Sequence, residues 1–406
     1  IIGLANLIIT IPMVLNGHAG VKFGIPFPVL GRASFGIKGI HIAAIIRGLV
    51  ACGWFGIQTW IGGLAFYAIY TALAGVEPAA GLSFGKFVGF ALFWLVNMYF
   101  VWKGTESIKW LEQLSAPILL AMGLALIVWG TVQTGSFGKV LEQSKIMATP
   151  TAEIVTDAQG SRLQLNPLRT KEGSVKAEAV QVLAPGKSDF EDNGWLYFKS
   201  LPTINVTNPS IETMSLAFRA NVNGKTVQSS TIVAKRDTPV HTGFWDRLWT
   251  YILWLTAMVG FWATMSLSIA DITRYAKSQR SQVVGQFLGL PTTMMLYSFV
   301  GVFVTCAAML NFDDVLIGED APWDPVSLMA KFENPAVVVV AQVFMIIATL
   351  STNIAANVIA PANAFSNLLP KKISFQTGGL ITGIIGILIC PWILLDEISA
   401  LLIFVS

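Results

Sequence analysis

The sequence predicts an all-α polytopic membrane protein that carries one inserted β-rich domain. Hydrophobic residues make up 54% of the 406 residues and charged residues only 12%. Apolar runs recur at the length of about 20 residues that a helix needs to cross a bilayer. The composition turns polar only from about residue 135 to residue 241. The predicted domains are therefore residues 1–134 and 242–406 in the membrane, with residues 135–241 inserted between them.

Nine apolar runs are predicted to form the membrane helices. They lie near residues 1–15, 41–74, 84–102, 113–133, 247–270, 283–311, 335–362, 375–395 and 397–406. The run at 41–74 is too long for one upright span, which predicts tilt or an interfacial extension. Glycine and proline fill the connector 16–39, which predicts a tight connector or a hinge instead of a long helix. Both ends of the chain fall inside apolar runs, so we expect a fragment that lacks helices on either side.

The charges of the short loops predict the orientation. Outside the polar insertion, one side of the membrane holds only Lys86 and Lys331. The other side holds ten basic residues, namely Lys22, Arg32, Lys38, Lys103, Lys109, Arg274, Lys277, Arg280, Lys371 and Lys372. The excess of Lys and Arg marks the cytoplasmic side, so residues 135–241 are predicted to be extracytoplasmic. We expect a monomer in a bacterial inner membrane, with no nucleic-acid partner.

The inserted segment has the pattern of short strands joined by turns. Strand-like runs such as residues 177–183, 215–222 and 226–233 are β-branched or alternate in polarity. Turn dipeptides such as Asn223-Gly224 separate them, and residues 221–226 are a good hairpin candidate. A passive domain is the favoured interpretation, and partner binding or gating is the alternative.

The stretch from Ala348 to Asn363 places hydroxyls and amides inside an apolar run. Uncharged polar groups at membrane depth mark ligand or ion pathways when they find partners there. Ala348, Ser351 and Thr352 lie on one helix face and offer a carbonyl and two hydroxyls, which is part of an oxygen cage for Na⁺. Asn357 lies further along and is predicted to bind a solute. The alternative is that the hydroxyls bond to their own helix.

A second polar island pairs Trp54 with Gln58, four residues apart and on one helix face. An indole gives a flat stacking surface, and a glutamine amide gives a paired donor and acceptor. Together they match a planar heterocycle with amide edges. The alternative for Trp54 is an interfacial anchor in a helix that packs through the neighbouring glycines.

A third island surrounds Gly260 and Trp262, where glycine and hydroxyl residues weaken the helix. An interruption near Trp262 would free backbone groups for a ligand, as broken membrane helices do. Asp271 and Arg274 follow at the cytoplasmic end and are predicted to form a cap and an ion pair.

Enzyme chemistry is poorly supported by the sequence. The predicted spans hold no paired carboxylates, no His-Glu pair and no nucleophile elbow, so no catalytic residue and no cofactor is predicted. They also hold no mid-membrane Asp or Glu that would serve as an obvious proton relay. Cys52, Cys306 and Cys390 lie in apolar runs with no metal-ligand spacing.

Four segments carry a resemblance to a known family. They are residues 31–39, residues 53–60, residues 260–262 with 271–275, and residues 348–357. In this order they resemble the nucleobase–cation symporter-1 family, whose bacterial members include hydantoin, allantoin, uracil and cytosine permeases. The resemblance implies a five-plus-five inverted-repeat transporter fold, of which this chain holds about helices 2 to 10. The insertion at residues 135–241 departs from the family.

The resemblance also implies roles for individual residues. Trp54 and Trp262 sandwich the substrate ring, with Gly260 beside it, while Gln58 and Asn357 bond its amide edges. Ala348, Ser351 and Thr352 form half of a Na⁺ site whose other half lies in a helix before this chain. The expected function is Na⁺-coupled import of a small planar nucleobase-like or ureide-ring solute. The alternatives are proton coupling, an amine or amino-acid substrate, or a sensor that works through the inserted domain.

Overall fold

The computed structural model is mostly helical and describes residues 1–79, 81–145, 244–311, 325–330 and 334–394, with short segments between residues 152 and 236. Seven helical segments in the described part are long and apolar enough to cross a membrane. The chain divides into two compact units. The first holds Ile1–Gly123, Leu248–Ser298 and Met329–Ser406, and the second holds Leu124–Arg247 and Phe299–Leu328.

The helices follow one another in chain order. They are α1 (Ile2–Phe23), α2 (Phe27–Leu30), α3 (Arg32–Ala74), α4 (Phe84–Lys103), α5 (Thr105–Thr134), α6 (Phe137–Lys145), α7 (Phe244–Ser268), α8 (Ala270–Thr273), α9 (Gln279–Asn311), α10 (Pro325–Ala330), α11 (Pro335–Asn357), α12 (Ile359–Leu368) and α13 (Phe375–Leu388). Together α11 and α12 make up one candidate span. The run predicted at residues 397–406 lies outside the described residues.

The segment predicted as a connector, residues 16–39, contains helix ends and the short helix α2, and no single long helix runs through it. Helix α1 continues to Phe23 and ends at Gly24, whose φ of 67° is the left-handed conformation that terminates helices. Pro26 precedes α2 and has the extended conformation of a helix start. Helix α3 begins at Arg32 and bends at Gly36, where φ is 70° and ψ is 173°. The glycines and prolines therefore end, start and kink helices instead of preventing them.

Two other boundaries differ from the sequence prediction. Helix α5 begins at Thr105, although charged residues had placed the start of its apolar run at residue 113. Glu112 therefore lies within a membrane helix. Helix α7 runs without interruption through Trp262 to Ser268, and the chain breaks only at Ile269 before α8. The interruption predicted near Trp262 is thus displaced by almost two turns towards the C-terminal end of the helix.

Glycines let the helices of the first unit approach closely. A Cβ at Gly63 would meet the backbone of Phe90 on α4 at 2.5 Å, and one at Gly62 would meet the Phe93 ring at 2.4 Å. Small residues allow such close backbone approach in membrane proteins, where burial of apolar surface does not drive helices together. Gly53, on the same helix, has no atom within 4 Å of an added Cβ. The glycines of α3 therefore include packed positions, such as Gly62 and Gly63, and open positions, such as Gly53.

The second unit contains an eight-stranded sheet with the order β6-β5-β8-β10-β1-β2-β7, and β9 pairs with β8. Its strands are β1 (Ala152–Asp157), β2 (Gly160–Leu165), β5 (Ala179–Val182), β6 (Leu196–Tyr197), β7 (Ile204–Asn205), β8 (Thr213–Val222), β9 (Lys225–Gln228) and β10 (Ile232–Arg236), while β3 (Leu168–Thr170) and β4 (Gly173–Val175) pair separately. Among the described strands, β1 and β10 form the only parallel pair. Buried Ile154, Leu163, Leu216 and Phe218 form the core.

We predict that Gly63→Ala destabilises the protein by about 1–3 kcal/mol, because the added Cβ overlaps the backbone of α4. The midpoint of thermal unfolding in detergent measures the loss. Gly53→Ala is the matched control on the same helix and is expected to leave the midpoint unchanged or slightly raised. Equal midpoints for the two variants would contradict the packing described for α3 and α4.

Candidate functional site

Helix α11 packs along α3, and the polar side chains at their contact are buried. Thr59 on α3 and Asn353 on α11 are fully inaccessible to solvent, and Asn357 is 6% exposed. Asn97 on α4 is also fully buried beside them. Buried amides and hydroxyls cost free energy unless they are hydrogen-bonded, so their partners define the site.

These side chains are linked to one another by hydrogen bonds. Asn353 Nδ2 donates to Thr59 Oγ1 at 3.1 Å and to Asn97 Oδ1 at 3.3 Å. Asn357 Nδ2 in turn donates to Asn353 Oδ1 at 3.1 Å and to Gln58 Oε1 at 3.3 Å. The structure thus brings together Gln58 and Asn357, two of the predicted substrate residues. Asn97 and Thr59 were not among the predicted site residues, because the contact of α4 and α3 with α11 leaves no pattern in the sequence.

Trp54 lies one helical turn before Gln58 and is 46% exposed. Its neighbour Gly53 is one of the open glycines of α3. The indole face is therefore available for stacking next to the amide of Gln58.

Trp262 and Gly260 are carried by α7. The Trp262 indole is half-buried, and its Nε1 is buried with no hydrogen-bond partner among the described residues. Its ring contacts Phe261 edge-on, with centroids 5.2 Å apart. Gly260 is exposed and has no atom within 4 Å of an added Cβ. No ring contact joins Trp54 to Trp262 in the part of the chain that the structure describes, so the sandwich of a ring between them remains a prediction.

Arg47 connects the three helices that carry these residues. It projects from α3, is 7% exposed, and its Nε donates to the carbonyl of Thr264 on α7 at 2.8 Å. Its Nη2 donates to the carbonyl of Ala356 on α11 at 3.1 Å. Thr264 is two residues from Trp262, and Ala356 immediately precedes Asn357. One guanidinium therefore fixes the backbone next to both of these predicted site residues.

One of the predicted cation residues, Ser351, contacts a carboxylate that was not among the predicted site residues. Ser351 is buried, and its Oγ donates to Glu112 Oε2 on α5 at 2.8 Å and accepts from Ser115 Oγ at 2.9 Å. Glu112 Oε1 is buried and unpartnered among the described residues. Ala348 is half-buried and Thr352 is exposed. The sequence prediction placed Glu112 before the span at residues 113–133, but α5 begins at Thr105, so this carboxylate lies inside the helix.

The donor set around Ser351 consists only of oxygen atoms, which suits a hard cation better than a transition metal. Glu112 Oε1 lies in the same cluster and has no hydrogen-bond partner among the described residues. This oxygen is therefore free to serve as a further ligand of a cation bound there. No group of three or more His, Cys, Asp or Glu residues forms a metal cluster among the residues searched in the described chain.

Asp271 takes a different role from the predicted cap and ion pair. Its Oδ1 accepts the backbone N–H of Phe27 at 2.9 Å, so it caps the start of α2 instead of its own helix. Arg274 donates to Asn363 Oδ1 at 3.4 Å. The only ion pair within 4 Å in the described part of the chain joins Lys109 to Glu106. Burial raises the pKa of Asp271 to about 7, although the N–H of Phe27 and the charge of Arg274 act in the opposite direction.

Comparison with known proteins places this geometry in context. A family model described as permease for cytosine/purines, uracil, thiamine and allantoin matches residues 1–158 and 205–406. The chain is similar to the purine-uracil permease NCS1 of Arabidopsis thaliana, with 34% identity over 399 residues that cover 97% of this chain and 50% of that protein. It is 28% identical over 413 residues to the allantoin permease of Bacillus subtilis, covering 100% of this chain and 64% of that protein.

The solved structure of Mhp1, a nucleobase-cation-symport-1 family transporter in a closed conformation with bromovinylhydantoin bound, is also similar. The TM-score is 0.58 at 20% identity, with 96% of this chain and 63% of that chain covered. At this identity the likeness shows the fold, which is that of the Mhp1 transporter. The chain spans between half and two thirds of the length of these three proteins.

We predict that Arg47→Met lowers stability by about 2 kcal/mol, because it removes charged hydrogen bonds to two helix backbones. The midpoint of thermal unfolding in detergent measures the effect. Arg280→Met, at an exposed position on α9, is the matched control and should change the midpoint little. An unchanged midpoint for Arg47→Met would show that Arg47 does not hold the three helices together.

Proposed function

Because the chain belongs to the family of permeases for cytosine/purines, uracil, thiamine and allantoin, we propose that it carries a small planar heterocycle with amide edges across the membrane. The named relatives are permeases, which confirms the family resemblance and the prediction that the chain is not an enzyme. The chain is a multi-pass integral membrane protein of the Mhp1 fold. Hydantoin, allantoin, uracil, cytosine and purines are the proposed substrate class.

The observation that supports this proposal is the pairing of Gln58 with Asn357, one helical turn from the open face of Trp54. Two carboxamides offer donors and acceptors without charge, which matches the amide edge of a neutral ring. An exposed indole supplies the stacking surface. In the proposed complex Trp262 covers the other face of the ring, and Gly260 leaves room beside it. A charged amine or amino acid, the alternative substrate, would bind better where a carboxylate faced the solute.

We further propose that Na⁺ binds at Ala348, Ser351 and Thr352 and drives import by alternating access. Glu112 and Ser115 add oxygen atoms to Ser351 in this arrangement, and the carboxylate supplies the negative charge that three neutral ligands lack. A bound cation would favour the outward-open state, in which the solute binds. The helix bundle would then rock against the rest of the five-plus-five repeat and expose the site to the other side of the membrane. Proton coupling is the alternative, and ion-gradient experiments separate the two.

The remaining parts of the proposal concern placement. We propose that the protein acts as a monomer in a bacterial inner membrane and that residues 135–241 face the extracytoplasmic side, as the loop charges predict. A sensor that works through these residues is the alternative to a transporter. Uptake of labelled allantoin, hydantoin or uracil into proteoliposomes of the full-length protein would exclude the sensor. Binding without uptake would exclude the transporter.

We predict that Trp54→Ala lowers the affinity for the transported ring roughly 5- to 140-fold, because stacking of a ring on an aromatic side chain contributes about 1–3 kcal/mol. Uptake of labelled uracil, hydantoin and allantoin into proteoliposomes measures the effect. Trp102→Ala is the control, since this tryptophan is 75% exposed at the end of α4. Normal transport by Trp54→Ala would rule out the stacking role.

Ser351→Ala and Glu112→Gln are predicted to raise the Na⁺ concentration needed for half-maximal effect at least tenfold, because each removes an oxygen ligand or its charge. The readouts are Na⁺-dependent uptake and the Na⁺-induced rise in the thermal unfolding midpoint without solute. Thr256→Ala is the control, since its hydroxyl is exposed and bonds to the carbonyl of Ile252 in its own helix. If Na⁺ shifted neither readout in the unaltered protein, while a proton gradient drove uptake, the Na⁺ assignment would be wrong.

A further inference from the structure

A chain of side-chain amides runs from helix α4 to the proposed substrate site. It begins at Asn97, passes through Asn353, and ends at Asn357 and Gln58. The first three members are at least nine-tenths buried, so water does not compete for their hydrogen bonds. A carboxamide presents a donor on one side and an acceptor on the other. The orientation of each amide therefore depends on that of its neighbour.

The far end of the chain is fixed by backbone carbonyls, which can only accept hydrogen bonds. Asn97 Nδ2 donates to the carbonyl of Phe93 at 2.9 Å, so Asn97 Oδ1 must face Asn353 as an acceptor. Asn353 Nδ2 also lies 3.4 Å from the carbonyl of Phe55. The hydroxyl of Thr59 donates to that same carbonyl at 2.6 Å and is left to accept from Asn353. Three acceptors thus hold Asn353 in one orientation.

This orientation passes along the chain to the site. Asn353 Oδ1 faces Asn357 and accepts from its Nδ2, which also donates to Gln58 Oε1. Asn357 Oδ1 and Gln58 Nε2 remain, and no described residue bonds to either atom. Reversing any one member would place donor against donor or acceptor against acceptor and leave those groups unpaired. The site therefore presents one acceptor, Asn357 Oδ1, and one donor, Gln58 Nε2.

We propose that Asn97 is a positioning residue that sets the hydrogen-bond polarity of the substrate site through this amide chain and selects solutes with a secondary amide or imide edge. Such an edge offers an N–H to Asn357 Oδ1 and a carbonyl to Gln58 Nε2. A ring whose nitrogens are all methylated lacks the N–H and leaves the asparagine oxygen unpaired, so it is rejected. The inference rests on the proposed transport function and adds a basis for selectivity.

The test compares ligands that differ only in their N–H groups. Uracil and hydantoin are each paired with the fully N-methylated ring, 1,3-dimethyluracil or 1,3-dimethylhydantoin, and affinities for the purified full-length protein are measured. Thymine controls for size, because it carries its extra methyl group on carbon and keeps both N–H groups. The unaltered protein is expected to bind the parent ring at least tenfold more tightly than the dimethylated ring, and thymine within about threefold of uracil.

Asn97→Leu removes the fixed end of the chain. It is expected to weaken binding of the parent ring about tenfold and to leave binding of the dimethylated ring unchanged, so the selectivity collapses. Asn97→Asp keeps an acceptor facing Asn353 and is expected to retain most of the selectivity. Asn6→Leu is the matched control: Asn6 is also fully buried and donates to the carbonyl four residues earlier, but it leads to no amide chain. Thermal unfolding midpoints accompany each measurement.

The outcomes separate the inference from the function on which it rests. If the unaltered protein binds none of the parent rings, the proposed function fails. If it binds them but does not discriminate against the dimethylated rings, the polarity assignment fails. If Asn97→Leu keeps the selectivity, or weakens both members of each pair equally as a purely structural change would, Asn97 is not a positioning residue. If Asn97→Leu does not fold, loss of selectivity in a folded Asn97→Asp protein overturns the proposal.

Discussion

Uncharged polar groups at membrane depth must be hydrogen-bonded, and this requirement determines how α3, α4 and α11 pack. A bilayer offers no water to an unpaired amide, so each must find its partner within the protein. The contact of α3, α4 and α11 satisfies this requirement by joining Thr59, Asn97 and Asn353. The same bonds hold Asn357 against Gln58. The pairing that stabilises the helix contact is therefore also the pairing that shapes the proposed substrate site.

Some glycines allow close helix packing, and others leave space beside the proposed substrate site. Gly62 and Gly63 are covered by α4, and a side chain at either position would overlap its neighbours. Gly53 and Gly260 have no neighbour within 4 Å of an added Cβ, and they lie within two residues of Trp54 and Trp262 respectively. Glycine thus serves packing at the first pair and leaves free volume beside an indole at the second. Sequence spacing alone does not distinguish these uses, because the partner helix decides which face is covered.

The existence of the helices and the family could be predicted from the sequence, because apolar length and ordered motifs are local signals. The chemistry of the predicted cation site could not be predicted fully. Glu106 and Lys109 interrupt the apolar run, so the sequence placed the span boundary after Glu112, whereas the helix begins at Thr105. The partners of Asn353 and of Asp271 were also hidden, since they belong to residues more than 240 positions away along the chain. Such contacts arise from packing and leave no periodic trace in the sequence.

Helix α11 connects the two proposed sites by geometry. Ser351 and Asn353 are two residues apart, so their side chains leave the helix roughly 200° from each other. Ser351 faces Glu112 and Ser115 on α5, while Asn353 faces α3 and α4. A cation held between α5 and α11 would therefore act on the same helix whose opposite face orients Asn357 towards the solute. Coupling requires that each ligand favour the same arrangement of one shared element, and α11 is the element that contacts both. Any shift of α11 relative to α4 must therefore break the hydrogen bond between Asn353 and Asn97, or must move Asn97 together with α11.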